Sequence, residues 1–308
     1  MKEKWIFIHE FFTKIIKNFW REKKLALLLA ALGVMSATTF AEEPTLKVTS
    51  IGQEVEIENT TGNEDIGESL FFFNTVNMAY GDWSFGLTAG KAWSLDTDEI
   101  EGNNHRVQLN ASKNFGNYNL GLRWRTQENY DRYYITSSYN TGMFFGSADL
   151  WYEEVKGEAK GKNDILRGEI TPIGIQHNGW KVSYFVDCYK YVGDFKSGET
   201  KSDFQHQIRF YAPLYKGEKL GLNAEWRLTV HESIDVDGKK EDAEKTSKIK
   251  DFGRNRVYLH ASYKATESLD LYGSYYYEFR DDEWVKNGKN KDSDEYKGDL
   301  VLGWKYKF

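Results

Sequence analysis

The stretch Tyr296-Lys297-Gly298-Asp299-Leu300-Val301-Leu302-Gly303-Trp304-Lys305-Tyr306-Lys307-Phe308 decides the fold. Tyr296, Gly298, Leu300, Leu302, Trp304, Tyr306 and Phe308 fall on one face of an extended chain. Lys297, Asp299, Val301, Gly303, Lys305 and Lys307 fall on the other. Successive side chains of a strand point to opposite faces, so this is a strand with one apolar face and one mostly polar face. The same period recurs upstream. Leu220, Leu222, Ala224, Trp226, Leu228 and Val230 oppose Gly221, Asn223, Glu225, Arg227, Thr229 and His231. Leu120/Leu122/Trp124, Val257/Leu259/Ala261/Tyr263 and Leu269/Leu271/Gly273/Tyr275/Tyr277 repeat it. No helical period of useful length appears after residue 41.

Between the alternating runs the connectors keep a rhythm of tight and long. Tight ones sit at Gly81-Asp82, Gly116-Asn117, Asn140-Thr141-Gly142, Asn178-Gly179, Lys216-Gly217-Glu218 and Ala265-Thr266-Glu267-Ser268. Longer polar stretches include Asp96–Asn104, Val155–Lys162, Gly193–Lys201, Ser233–Asp251 and Arg280–Asp294. A soluble sheet has no reason to make one edge neat and the other ragged. A transmembrane β-barrel does, because its periplasmic turns are short and its extracellular loops long. The runs predict fourteen strands, near 45–58, 67–80, 83–95, 105–115, 118–128, 131–140, 143–154, 164–177, 180–192, 202–215, 219–232, 252–264, 269–280 and 294–308. Each covers the roughly 9–11 tilted residues that a bilayer requires. The expected fold is therefore all-β, a transmembrane antiparallel up-and-down barrel of fourteen strands with both termini periplasmic. Two places break the pattern. The eighth run changes phase near Pro172, which suggests a bulge. The connector at Asn129-Tyr130 is short where the rhythm calls for a long one.

Composition agrees. Aromatics make up 16% of the 308 residues and only three prolines occur, so long strands run uninterrupted. The mean hydropathy of −0.67 reads as soluble, but a barrel strand buries only every second residue in lipid, so that index fails here. Aromatics border the tight turns: Tyr80 and Trp83, Phe115 and Tyr118, Tyr139 and Phe144, then Trp180, Tyr215 and Tyr263. Amphipathic rings suit the lipid–water boundary, so these form one interfacial girdle.

The one continuous apolar run, Leu25–Met35, is too short to span a bilayer as a helix. Arg21-Glu22-Lys23-Lys24 precedes it and a small-residue exit ending at Ala41 follows, the form of a secretory signal peptide. Residues 1–41 are thus expected to be removed, and residues 42–308 to be the barrel. The long n-region 1–20 reads as an extended targeting segment, a misassigned start or a retained amphipathic anchor. Cleavage takes away seven Lys/Arg and three Asp/Glu, leaving a formal net charge of −10. An acidic exported chain is a poor partner for nucleic acid. The single Cys188 excludes an intrachain disulfide framework, and parity turns it toward lipid as an inert packing group.

The ending Gly303-Trp304-Lys305-Tyr306-Lys307-Phe308 resembles the C-terminal signal read by the outer-membrane assembly machinery, which would then be a partner. Further patches resemble the outer-membrane porin G family. They are Glu54-Val55-Glu56-Ile57-Glu58-Asn59 with Gly62, the aromatic strand ending in Asn77 with Trp83 after the turn, and Ile208-Arg209-Phe210-Tyr211-Ala212-Pro213-Leu214. Asn255-Arg256-Val257 and Ser274–Phe279 complete the set. The resemblance implies a monomeric fourteen-stranded porin of the outer membrane, in contact with its lipids and passing small hydrophilic solutes, mostly sugars, with little selectivity. Members of that family that close at acid pH use a histidine pair near the ends of strands 12 and 13. The matching stretches here, Phe252-Gly253-Arg254 and Arg280-Asp281-Asp282, lack histidine. His231 and His260 project inward by parity but stand about seven residues, or about 23 Å, apart along the strands. Acid gating of the family's kind is not expected.

Parity also sets the expected lining of the lumen. Arg123, Arg125, Arg167, Arg209, Arg227 and Arg256 face inward. So do Asp149, Glu153, Glu169, Asp187, Glu225, Asp270, Glu278 and Asp299. A wet lumen tolerates such charges. Arg209, Arg227 and Arg256 on successive strands suggest a basic wall that would orient dipolar solutes; the plainer reading is that opposite charges pair. Tyr258, Tyr272 and Tyr276 face inward and could stack on sugar rings. No catalytic group, metal or cofactor is expected. A barrel enzyme would need an oriented nucleophile or acid–base pair, and no local motif joins His105, His177, His206, His231 or His260 to one. A non-conducting adhesin using the acidic loops is the other alternative.

Overall fold

In the computed structural model, residues 45–62, 69–95, 100–157, 163–195, 199–236, 246–286 and 289–308 are described. The segment expected to be a signal peptide, residues 1–41, lies outside these residues, as does the centre of the Ser233–Asp251 connector. The strands are β1 (Lys47–Gly62), β2 (Ser69–Tyr80), β3 (Trp83–Leu95), β4 (Ile100–Asn114), β5 (Tyr118–Gln127), β6 (Tyr130–Thr141) and β7 (Phe144–Val155). They continue as β8 (Asp164–His177), β9 (Trp180–Val192), β10 (Thr200–Lys216), β11 (Leu220–Val236), β12 (Thr246–Lys264), β13 (Leu269–Lys286) and β14 (Lys289–Lys307).

Each strand pairs antiparallel with its neighbours in sequence, and β1 pairs with β14 from Ser50↔Lys307 to Gly62↔Lys297. All fourteen therefore close into one barrel. Closure leaves no unpaired sheet edge, the condition a sheet must meet to sit in lipid. The last amide helps to seal the seam: Phe308 N–H donates to the Thr49 carbonyl at 3.2 Å.

At the tight end the predicted boundaries agree with the structure within about two residues, because the turn chemistry is local. Asn178 (φ 49°) and Gly179 (φ 87°) both take the left-handed conformation that a two-residue hairpin needs. At the other end the strands outrun the prediction. Arg280–Asp294, expected to be a loop, is mostly hairpin: Asp281↔Asp294 through Lys286↔Lys289 are paired. Cross-strand backbone bonding does not need an apolar period, so a polar ladder escapes a search for alternation.

Both irregularities are real. Opposite Pro172 the register of β8 shifts against β7 between Phe145 and Ser147, and against β9 between Ile170 and Ile173. Proline cannot donate to the ladder, and the bulge absorbs it. The Tyr139 hydroxyl reaches across and donates to the Pro172 carbonyl at 2.8 Å. The short connector before Tyr130 is tied down by neighbours. Glu128 N–H donates to Asn104 Oδ1 at 3.2 Å, and Lys156 N–H to the Asn129 carbonyl at 2.9 Å.

The outer surface is apolar and exposed. Leu120, Leu122, Ile135, Leu150, Val182, Val257, Leu259 and Leu302 all stand open. At the tight end the band finishes in exposed rings: Phe115, Tyr118, Phe144, Trp180, Tyr215, Tyr263, Tyr306 and Phe308. An apolar surface wrapped round a whole molecule has no solvent in water.

Candidate functional site

The opposite face holds the charges, and contacts that skip a strand identify it as the interior. Arg123 on β5 reaches Asp149 on β7 at 3.0 Å, over β6. The Tyr272 hydroxyl on β13 donates to Glu54 on β1 at 3.0 Å, over β14. Charged side chains of next-but-one strands approach most readily on the concave side of a closed sheet.

Most interior guanidiniums lie between a carboxylate and an aromatic ring. Arg123 also donates Nε to Asn110 (3.0 Å) and lies 5.0 Å over Tyr134. Arg167 grips Asp187 with two bonds, of 2.9 and 2.6 Å, has Glu169 at 3.8 Å and covers Trp151. Arg227 bonds Glu225 at 2.5 Å and lies 4.3 Å over Tyr258. Arg256 pairs with Glu278 and covers Tyr276. Glu278 takes Arg254 as well, at 2.9 and 3.1 Å, and its side chain is only 4% exposed. Among the remaining acids, Glu153 takes Arg132, Asp270 takes Lys307, and Asp299 accepts from the Tyr276 hydroxyl. A guanidinium is flat and weakly hydrated, so it can stack on a ring while its edge keeps donors for other groups.

Arg125 and Arg209 differ. Arg125 donates Nε to Gln108 at 2.8 Å and has Tyr134 beneath it. Arg209 donates Nε to Gln207 at 3.1 Å and lies 3.2 Å over Phe185. Neither has a carboxylate within ion-pair distance among the described residues.

The register does set Arg209, Arg227 and Arg256 side by side, Arg209↔Arg227 and Arg227↔Arg256. Arg227 pairs with Glu225 and Arg256 shares Glu278 with Arg254, so the row is a partly compensated wall whose end, Arg209, has no carboxylate partner among the described residues. The tyrosines are also less available than parity implied. Tyr258 is 8% exposed under Arg227, with Tyr276 and His260 packed on its flanks. Its face has no room for a sugar. Tyr272 keeps its hydroxyl on Glu54.

One inward assignment is overturned. The β10–β11 register slips between His206 and Gln207, pairing His206 with His231 but Gln207 with Thr229. The extra residue on β11 reverses parity above it, so Glu232 is buried inside and His231 turns outward. There its ring stacks on His206 at 6.3 Å, and Nδ1 sits 2.7 Å from Asp251. His206 in turn bonds the Tyr184 hydroxyl at 2.6 Å. His260 does lie inside, 3.6 Å from Glu225.

Several interior groups escaped the sequence reading. Arg106, Arg132 and Arg254 belong with the arginines above. Phe73, Tyr134, Trp151 and Phe185 are buried rings beneath them. The arginines were legible by parity. The rings were not, because a run such as Leu70-Phe71-Phe72-Phe73 is apolar on both faces.

No protein-family model matches the chain, and no curated protein matches it significantly. Solved structures do, at low identity. A bacterial polysaccharide outer membrane secretin aligns at 6% identity and a TM-score of 0.49, covering 84% of this chain and 98% of that one. OmpT, an outer membrane protein of Vibrio cholerae, aligns at 12% and 0.44, covering 87% and 100%. An anion-selective porin from Comamonas acidovorans aligns at 12% and 0.42, covering 86% and 100%.

Proposed function

We propose that the chain is an outer-membrane porin, a passive and weakly selective path for small hydrophilic solutes such as sugars and ions. The observation that carries this reading is its inverted polarity: charges turned inward, a continuous apolar surface outward, and an aromatic rim. Closure satisfies the backbone, so the barrel can cross lipid where an open sheet cannot. An interior of paired charges stays hydrated and gives polar solutes a route of low dielectric cost. Arg123, Arg125, Arg167, Arg209, Arg227, Arg256, Asp149, Glu169, Glu225, Glu278, Tyr258 and Tyr272 line this path in the proposal. The tight turns and both termini face the periplasm, residues 1–41 direct export, and the aromatic C-terminus addresses the assembly machinery. The barrel acts as a monomer, consistent with the resemblance to the porin G family, and performs no catalysis.

Single-channel recording of the refolded barrel in a planar bilayer tests this, with liposome swelling in sugars alongside. Stepwise, long-lived conductance and swelling are expected. A folded barrel that inserts but passes neither ions nor sugars would make the chain a surface-interaction protein instead.

A further inference from the structure

Most interior arginines have a carboxylate partner, but Arg106 on β4 and Arg125 on β5 have none among the described residues. Arg106 rests on Phe71 and Phe73, at 5.1 and 4.7 Å. The Gln127 amide oxygen, oriented to suit its neighbours, accepts from Arg106 Nε at 2.7 Å and Nη2 at 3.1 Å, leaving Nη1 free among the described residues. Arg125 has spent only Nε, on Gln108. Glu54 on β1 is the converse case. It accepts from the Tyr272 hydroxyl and has no cation within ion-pair distance among the described residues.

These uncompensated charges converge. Arg106, Arg125, Glu54 and Tyr272 line one recess of about 320 Å³ in the interior wall, with Thr75, Thr88 and the exposed Lys305 also on its lining. The two threonine hydroxyls are 3.0 Å apart. Glycines shape the recess. A Cβ on Gly90 would stand 2.3 Å from the Phe73 ring, and one on Gly303 would stand 2.5 Å from Tyr272. Without those side chains, Phe73 lies flat beneath Arg106 and Tyr272 can reach Glu54. The volume is at the small end for ligand sites, which run from roughly 300 to 1,000 Å³.

We infer that this recess is a binding station for a small zwitterion, an α-amino acid, on the permeation path. The inference rests on the porin reading for its place on that path. The solute's carboxylate takes the free guanidinium donors of Arg125 and Arg106, an arrangement that favours charge-assisted, paired bonds. Its ammonium takes the carboxylate oxygen of Glu54 that Tyr272 leaves open, and the threonines serve polar atoms between. A neutral sugar would leave both charges uncompensated. A simple anion would satisfy the basic groups, Lys305 included, but leave Glu54 facing it without a cation of the solute.

Calorimetry on the refolded barrel in detergent tests binding whether or not the barrel conducts. L-glutamine, glucose and acetate are the probes. L-glutamine is expected to bind, with glucose and acetate at least tenfold weaker. Glu54→Gln and Arg125→Gln should each weaken L-glutamine about tenfold, the worth of one charged hydrogen bond, in variants whose heat-modifiable migration shows a folded barrel. No binding of L-glutamine to the folded wild type, or glucose or acetate bound equally well, overturns the inference. So does equal affinity in both folded variants. In the bilayer, L-glutamine should produce resolved current blockades. Binding in detergent without any conductance would instead remove the porin reading and leave the site.

Discussion

Glu278 shows how the interior holds its charges. One carboxylate, nearly inaccessible, serves Arg254 and Arg256 on the adjacent strand. Removing a buried partner costs far more than a surface pair is worth, because the charges left behind have lost water as well as their counter-ion. Glu278→Gln is expected to destabilise the barrel by about 3 kcal/mol, read from urea unfolding followed by tryptophan fluorescence. Arg254→Gln should cost less, since Glu278 keeps Arg256. Equal effects would mean that the carboxylate is not shared. By contrast, the more open Lys297–Asp299 contact, at 3.9 Å with Lys297 45% exposed, adds little. The sequence placed Glu278 and Arg256 on the same face. That one acid serves two arginines depends on rotamers and cross-strand offset, which no period encodes.

At the scale of the strand, two bulges matter most, and they were not equally legible. Pro172 announces its own: a residue without an N–H must interrupt a central ladder. The slip beside His206 has no such residue. It lies among His206-Gln207 and Thr229-Val230-His231, which continue either phase equally well, and so His231 was read on the wrong face. The Pro172 bulge is held from the neighbouring strand but one by the Tyr139 hydroxyl. Tyr139→Phe should therefore lower stability by about 1 kcal/mol, measured in the same unfolding assay, while single-channel conductance is unchanged. A changed conductance would show that the bulge shapes the interior.

At the scale of the whole molecule, the barrel divides its side chains between two solvents. Cys188 on β9 faces out, with only a weak 3.5 Å bond from Sγ to the Gly168 carbonyl. Ser183 on the same strand lies on the inward parity, paired with Arg209. In proteoliposomes a charged, water-soluble maleimide is expected to leave Cys188 untouched, while an uncharged, lipid-soluble one modifies it. On a Cys188→Ser background, Ser183→Cys should react with the charged reagent. The reverse pattern would turn the barrel inside out and remove the basis for an aqueous path.

The amino-acid sequence by itself determined the number of crossings, the tight ends, the outward apolar face and the inward arginines. Each follows from interactions local in sequence: period-two alternation and turn residues with special backbone angles. Only the tertiary structure decided which charges are neutralised, which rings lie beneath arginines, where parity reverses without a proline, and how far polar hairpins extend. The recess of Glu54, Arg106 and Arg125 belongs to this second group. Its charged residues come from β1, β4 and β5, which the curl of the sheet turns toward one shared concavity, and the β1–β14 closure adds Tyr272 from β13.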